Sequence, residues 1–227
     1  MNIVSVDLGM GPAPTSLVVL EGKTWEYIAT RVIESEDSTT WQPFFRAPDG
    51  REVEHCPAPV FYLRHVERMP PGSSYARIVQ RVKAVYAGLR EPTLVLDVTG
   101  VGKAAVELFR EAELAPYVVT ITAADEVTDN WLNFRVPKRD VISTAQVLLQ
   151  TDRFKIAKDL SNAQLLLREL QSFRMNVDLK KSDALAWREG ANDDLVLALA
   201  VGLWIGERRP GIPGAIIVGK SECEWSF

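Results

Sequence analysis

Asp7, Asp97 and the pair Asp193-Asp194 lie far apart in the chain, yet each stands at the boundary of an apolar segment. Asp7 closes Ile3-Val4-Ser5-Val6-Asp7 ahead of Leu8-Gly9, Asp97 closes Thr93-Leu94-Val95-Leu96-Asp97, and Asp193-Asp194 opens a stretch rich in leucine and alanine. Short apolar runs ending at a glycine turn predict strands, and acids ahead of aliphatic residues at helical spacing predict a helix start. Ligands of an α/β sheet gather beyond the carboxyl ends of its strands. If the first and fourth strands are neighbours, Asp7 and Asp97 come within about 5 Å laterally. A helix packed across that edge delivers Asp194, with Asp193 about 100° round the axis. Carboxylates this close repel and raise one another's pKa values. Magnesium or manganese relieves the repulsion, because both favour hard oxygen ligands. Two such ions about 4 Å apart activate water on one side of a phosphodiester and stabilise the leaving oxygen on the other. No nucleophilic triad is needed, in keeping with a chain whose only histidines are His55 and His65.

Each acid taken alone also has a purely structural reading. Asp97 ahead of Thr99-Gly100 suits an Asx-turn, and an aspartate at a helix start suits capping and the helix dipole. The functional reading rests on their conjunction. A Gly-Lys pair in Asp97-Val98-Thr99-Gly100-Val101-Gly102-Lys103-Ala104 imitates a nucleotide phosphate loop. That loop needs glycine at Asp97 and serine or threonine at Ala104, so the likeness fails.

The elements that must carry these acids follow from periodicity. Residues 3–7, 15–20 and 25–33 predict three antiparallel strands, followed by a polar excursion at about 34–66 that contains a further extended run, Val60 to Val66. Tyr75, Ile78, Val79, Val82, Val85 and Tyr86 recur at helical spacing. Strand 93–97, helix 103–113 and strand 117–122 then predict parallel pairing with covering helices. Helices are expected at 138–150 and 162–173, a hairpin at about 175–187, and a final helix opened by Asn192-Asp193-Asp194. The fold class expected is α/β: one domain over 1–227 built on a central mixed sheet, three antiparallel strands then parallel ones, flanked by helices.

Composition bounds the rest. With 47% hydrophobic residues the chain can bury a core, and its longest apolar stretch is too short for a membrane span. The start has no basic leader or cleavage site, and Cys56 and Cys223 form no paired-ligand motif, so a cytoplasmic, reducing location is expected. The net charge of −4 does not advertise a nucleic-acid binder. It averages over unlike halves, however: residues 1–70 hold ten acids and six bases, and residues 131–181 hold ten bases and five acids. A basic flank beside an acidic centre suits a polyanion, although ordinary solvated surfaces also segregate charge to this extent. Lys103, Lys138, Arg139, Lys180 and Lys181 are the candidate nucleic-acid contacts.

Val6-Asp7-Leu8-Gly9, Leu94-Val95-Leu96-Asp97-Val98-Thr99-Gly100-Val101-Gly102 and Glu189-Gly190-Ala191-Asn192-Asp193-Asp194-Leu195-Val196-Leu197-Ala198-Leu199-Ala200 together resemble the nuclease domain of the large terminase subunit of tailed bacteriophages. Pro137-Lys138-Arg139, residues 149–156 and Leu167-Arg168-Glu169-Leu170-Gln171-Ser172-Phe173 are similar to the same family, so the resemblance spans essentially the whole chain. It implies a ribonuclease H-like fold and two-metal cleavage of double-stranded DNA during genome packaging. By that resemblance Asp7, Asp97 and Asp194 bind two Mg²⁺ or Mn²⁺ ions, with Asp193 their close neighbour, and Lys180 to Trp187 form a hairpin near the DNA cleft. The implied partners are double-stranded DNA and a separate packaging ATPase, portal or small terminase subunit, in the cytoplasm of a bacterial host, with no membrane.

Three departures stand against the pattern. Ala13 occupies the place of a further family aspartate, and Asn192 that of a histidine ahead of the acidic pair. The family's ATP-driven motor has no room before Met1, which leads us to expect a nuclease fragment, a self-standing gene or an inactive remnant. Alternatives on related chemistry are a Holliday-junction resolvase or transposase-type nuclease, an actin-like or sugar-kinase phosphotransferase, and a non-catalytic DNA-binding protein that keeps the scaffold.

Overall fold

The computed structural model describes the chain apart from Met10, Pro12, Lys158 and residues 24–25, 36–37, 47–49, 54–57, 177–192 and 209–227. Its centre is an eight-stranded sheet. Strands β1 (Asn2–Asp7), β2 (Ser16–Lys23) and β6 (Val60–Arg68) are antiparallel neighbours. On the other side of β1, strands β7 (Pro92–Asp97), β8 (Tyr117–Thr122) and β10 (Asn133–Pro137) run parallel to it in succession. Short edge strands β9 (Thr128–Asn130) and β11 (Phe154–Ile156) complete the order β11-β6-β2-β1-β7-β8-β10-β9. Between β2 and β6 the chain makes a separate three-stranded sheet of β3 (Glu26–Ser35), β4 (Ser38–Arg46) and β5 (Glu52–Val53).

Helices α1 (Tyr75–Ala87) and α2 (Lys103–Glu111) cover one face of the large sheet. Helices α3 (Lys138–Gln150), α4 (Ala163–Asn176) and α5 (Asp194–Arg208) cover the other. Strand alternation divides the core accordingly. Val4 and Val6 of β1 and Leu8 just beyond it pack towards α1 and α2, whereas Ile3 packs towards α5. A mixed sheet in this order, with helices on both faces, is a ribonuclease H-like α/β fold. No helix among the described residues is long and apolar enough to cross a membrane.

Three expectations about elements need correction. The segment expected as the third strand of the opening meander belongs to the small sheet, and β6 takes the place beside β2. The reason lies in the sides the residues present: a register shift at Val19/Leu20 lets Phe61, Leu63 and Val66 all join the core beneath α5. The excursion is therefore centred on residues 26–53, and β6 is part of the main sheet. Residues 154–156, expected as a link, form β11, and β9 and β10 were not anticipated because they are too short to show a period. Helix α4 runs on to Asn176, and the rest of the expected 175–187 hairpin lies outside the described residues.

Helix α5 is the most deeply placed element, with Leu195 through Gly206 all buried. It lies close to the sheet because its contact stripe is Ala198, Gly202 and Gly206, four residues apart. The Ser5 hydroxyl donates to the Ala198 carbonyl at 2.6 Å. A Cβ at Gly202 would stand 2.8 Å from Ser5 Cβ, and one at Gly206 2.5 Å from Phe61 Cε1 and 2.9 Å from Ile3 Cδ1. The helix thus runs antiparallel to β1, its C-terminal part over Ile3 and its N-terminus towards the Asp7 end. Gly206→Val is expected to destabilise the fold by about 1–3 kcal/mol through overpacking, lowering Tm by roughly 2–4 °C per kcal/mol in a chain of this size. Gly102, whose Cβ would meet nothing within 4 Å, is the control, and calorimetry of Gly102→Ser should show a near-parental Tm. Equal melting of both variants would mean that α5 does not need its close approach.

Candidate active site

The register of the large sheet aligns four polar residues in one row. Arg68 of β6 is the partner of Ser16 of β2, Ser16 of Asp7 on β1, and Asp7 of Asp97 on β7. Two residues back along each strand, Val66, Val18 and Val95 belong to the core under α5, and Ser5 bonds α5 directly. Period-two alternation therefore places the whole row on the α5 face. Asp7 is 4% exposed and Asp97 is fully buried. Parallel pairing brings their Cα atoms to about the interstrand spacing of 4.8 Å.

Each carboxylate is held by its local turn. Asp97 Oδ1 accepts from the Thr99 backbone N–H at 2.9 Å and from the Thr99 hydroxyl, whose oxygen in turn accepts from Ile121 N–H at 2.7 Å. This is an Asx-turn stitched to the neighbouring strand, and Gly100 completes it at φ 78°. After Asp7, the Gly9 N–H donates to Thr15 Oγ1 at 3.0 Å. A Cβ at Gly9 would lie 2.3 Å from the Ala13 carbonyl oxygen, so only glycine lets the chain turn here. Asp97 thus keeps its structural role and its place in the row at once. Its Oδ2, like Asp7 Oδ1 and Ser16 Oγ, is buried and accepts no hydrogen bond.

The third acid arrives on α5. The Asp193 carbonyl accepts from Leu197 N–H at 2.9 Å, so Asp193 is the residue that opens the helix. It is 6% exposed. Asp194 lies one turn before Ala198, which Ser5 anchors, and so reaches the Asp7 end of β1. There Asp194 Oδ2 stands 3.6 Å from Arg68 Nη2. Arg68 also bonds Glu169 Oε1, and Glu169 Oε2 accepts from Leu195 N–H at 3.1 Å. Burial pushes the Glu169 carboxyl above its usual range against the pull of Arg68 and the Leu195 N–H, with the Asp194 charge adding to the rise.

The edge therefore gathers two groups: Asp7 beside Asp97, and Asp194 with Arg68 and Glu169. The fold is similar to two solved nucleases. The large terminase nuclease from thermophilic phage G20c shares 15% identity over 89% of this chain and 80% of its own, with a TM-score of 0.49. The human cytomegalovirus terminase nuclease domain shares 12% identity over 89% of this chain and 82% of its own, with a TM-score of 0.44. No protein-family model and no curated protein matches the chain.

Asp7 and Asp97 suit a hard divalent cation in donor type and in their buried oxygens. Among the described residues no group of three or more histidine, cysteine, aspartate or glutamate side chains is arranged to hold a metal. Asp194 faces Arg68 instead.

The candidate cations are more scattered. Lys103 is exposed at the start of α2. Lys138 is half-buried with its ammonium 5.8 Å from the centre of the Phe173 ring. Arg139 is exposed and bonded to Asp125, through Oδ1 at 3.0 Å and the carbonyl at 2.6 Å. Lys180, Lys181 and Asn192 lie outside the described residues. Ala13 is exposed in the β1–β2 turn. Sequence reasoning missed Arg68, Ser16 and Glu169. Arg68 ends an apolar strand as Asp7 and Asp97 do, and Glu169 is an acid within the leucine-rich run of α4, so both left a signal.

Glu169 governs pH dependence with a definite sign. A carboxyl raised in the folded state binds its proton more tightly than in the unfolded chain, so stability falls as pH rises from the ordinary value of 4.5 through the folded value. Glu169→Gln should flatten that limb of a Tm-against-pH curve, and an unchanged slope would refute the assignment.

Proposed function

We propose that this chain is a Mg²⁺- or Mn²⁺-dependent endonuclease that hydrolyses phosphodiester bonds of double-stranded DNA by a two-metal-ion mechanism, as in phage genome packaging. Asp7, Asp97 and Asp194 are the metal-binding acids, with Asp193 as their neighbour. The carrying observation is the register that sets Asp7 directly opposite Asp97 at a buried sheet edge, with the start of α5 brought to the same end of β1. The terminase-like motifs around these same residues support it from the sequence side.

When bound, the ions would supply an activated water and charge stabilisation at the leaving oxygen. The chain's own contribution is positioning: the Asx-turn at Asp97 fixes one carboxylate, the Gly9 turn the second, and the seated α5 the third. Lys103, Lys138, Arg139, Lys180 and Lys181 are proposed to attract the DNA backbone. The domain is proposed to span 1–227 and to act in the cytoplasm of a bacterial host with a packaging ATPase, portal or small terminase subunit. One observation favours a second reading, a non-catalytic DNA-binding protein on the same scaffold: Asp194 is ion-paired with Arg68.

Plasmid cleavage in Mn²⁺ separates the two. The parent chain is expected to cut, and Asp97→Asn to lose at least roughly 100-fold in rate, the scale of losing one electrostatic contributor to a transition state. Equal cutting by both would end the metal-nuclease assignment. Duplex binding in chelator with no cutting in Mn²⁺ would establish the second reading.

A further inference from the structure

We propose that Arg68 and Glu169 are positioning residues that clamp the first turn of α5, and with it Asp193 and Asp194, onto the end of the sheet row. The purpose of the clamp rests on the nuclease reading above, while its geometry stands on its own contacts. Glu169 lies within α4, is 5% exposed, and divides its two oxygens between different elements. Oε1 receives Arg68 Nη2 from the end of β6, and Oε2 receives the Leu195 N–H at 3.1 Å. That N–H is one of the donors that a helix's first turn leaves unsatisfied. Such donors are usually capped by the residue just ahead of the helix; here the acceptor comes from 26 positions away, on another helix.

Arg68 completes the clamp. Its Nη2 also faces Asp194 Oδ2 at 3.6 Å, and its backbone is two strands from Asp7 in the same row. Both carboxylates thus meet the same nitrogen of the guanidinium, which sets Glu169 and Asp194 side by side. Contacts therefore run continuously from Asp7 through β2, β6, Arg68 and Glu169 to the first turn of α5. Ser5 anchoring Ala198 closes it from the other side, one turn along α5. A salt bridge serving only to attach α4 could bond anywhere along α5. Here Glu169 accepts the N–H of the residue after the Asp193-Asp194 pair, and Arg68 reaches one of the pair itself.

The test uses the full chain, with Mn²⁺ as the probe and no DNA present. Mn²⁺ binding is measured by titration calorimetry and amide exchange is followed along α5, for the parent, Arg68→Gln, Arg68→Lys and Glu169→Gln. Arg68→Gln should weaken Mn²⁺ binding about 10–100-fold, the usual effect of losing a partner that orients a ligand. It should also speed exchange at 195–197 while 199–206 keep their protection. Arg68→Lys should recover part of the affinity, and Glu169→Gln, which keeps an acceptor for Leu195 N–H, should change exchange less than affinity. Parental Mn²⁺ affinity together with parental exchange in folded Arg68→Gln or Glu169→Gln overturns the clamp. A parent that binds no Mn²⁺, with variants whose exchange still quickens at 195–197, sinks the nuclease reading and leaves the clamp standing.

Discussion

The structure depends on one pairing: β1 beside β7, parallel and in the register that sets Asp7 against Asp97. Two carboxylates then share a buried edge, where each disfavours the other's charge. A slip of one residue would turn every side chain of β1 over. Ser5 and Asp7 would then face α1 and α2, and Val4 and Val6 would face α5. The apolar alternation of β1 is thus what forces the two acids together, since only one register buries Val4, Val6 and Leu8 in one core and Ile3 in the other. The hydrophobic pattern supplies the energy, and the acids are carried where it sends them.

The same logic reaches the third acid by a different route. A helix cannot be placed by hydrogen-bond register as a strand can, so its depth must be set by side-chain size. Gly202 and Gly206 let α5 approach Ser5, Phe61 and Ile3 more closely than any Cβ would permit. Ser5 then fixes its longitudinal position through Ala198. Position along the helix determines which residue meets the sheet edge, and that residue is Asp194. The small-residue stripe in the middle of α5 and the acids at its start are in this sense one device.

Much of this was legible in the sequence because the informative segments have strong periods. Strands β1, β7 and β8 and helices α1 and α3 lie where apolar spacing puts them, and acids at their boundaries can be read directly. The order of strands was harder. Residues 26–35 and 60–68 are both extended and partly apolar, and which of them pairs with β2 depends on a register shift at Val19/Leu20 that no local pattern announces. Arg68 went unread for the same reason: its neighbours in the row come from β2 and β1, so its meaning appears only once the pairing is known. Glu169 lies among the leucines of an amphipathic helix, but only the packing of α4 shows that it turns inward to the N-terminus of α5.

Charge distribution gives the edge its character. Elsewhere among the described residues acids and bases meet in small groups: Glu67 is held below its ordinary pKa chiefly by hydrogen bonds from Arg81, and Arg153 bonds Glu207 and the Pro59 carbonyl. At the sheet edge Glu169 and Asp194 both meet the guanidinium of Arg68, and Asp7 stands opposite Asp97 in the same row. Exposed pairs such as those elsewhere are worth little either way, whereas a buried acid depends strongly on the groups around it. Crowding of acids is costly in a buried place, so their position has to be enforced by the elements that carry them. The fold tolerates it because α5, seated by its glycines and by Ser5, cannot move away.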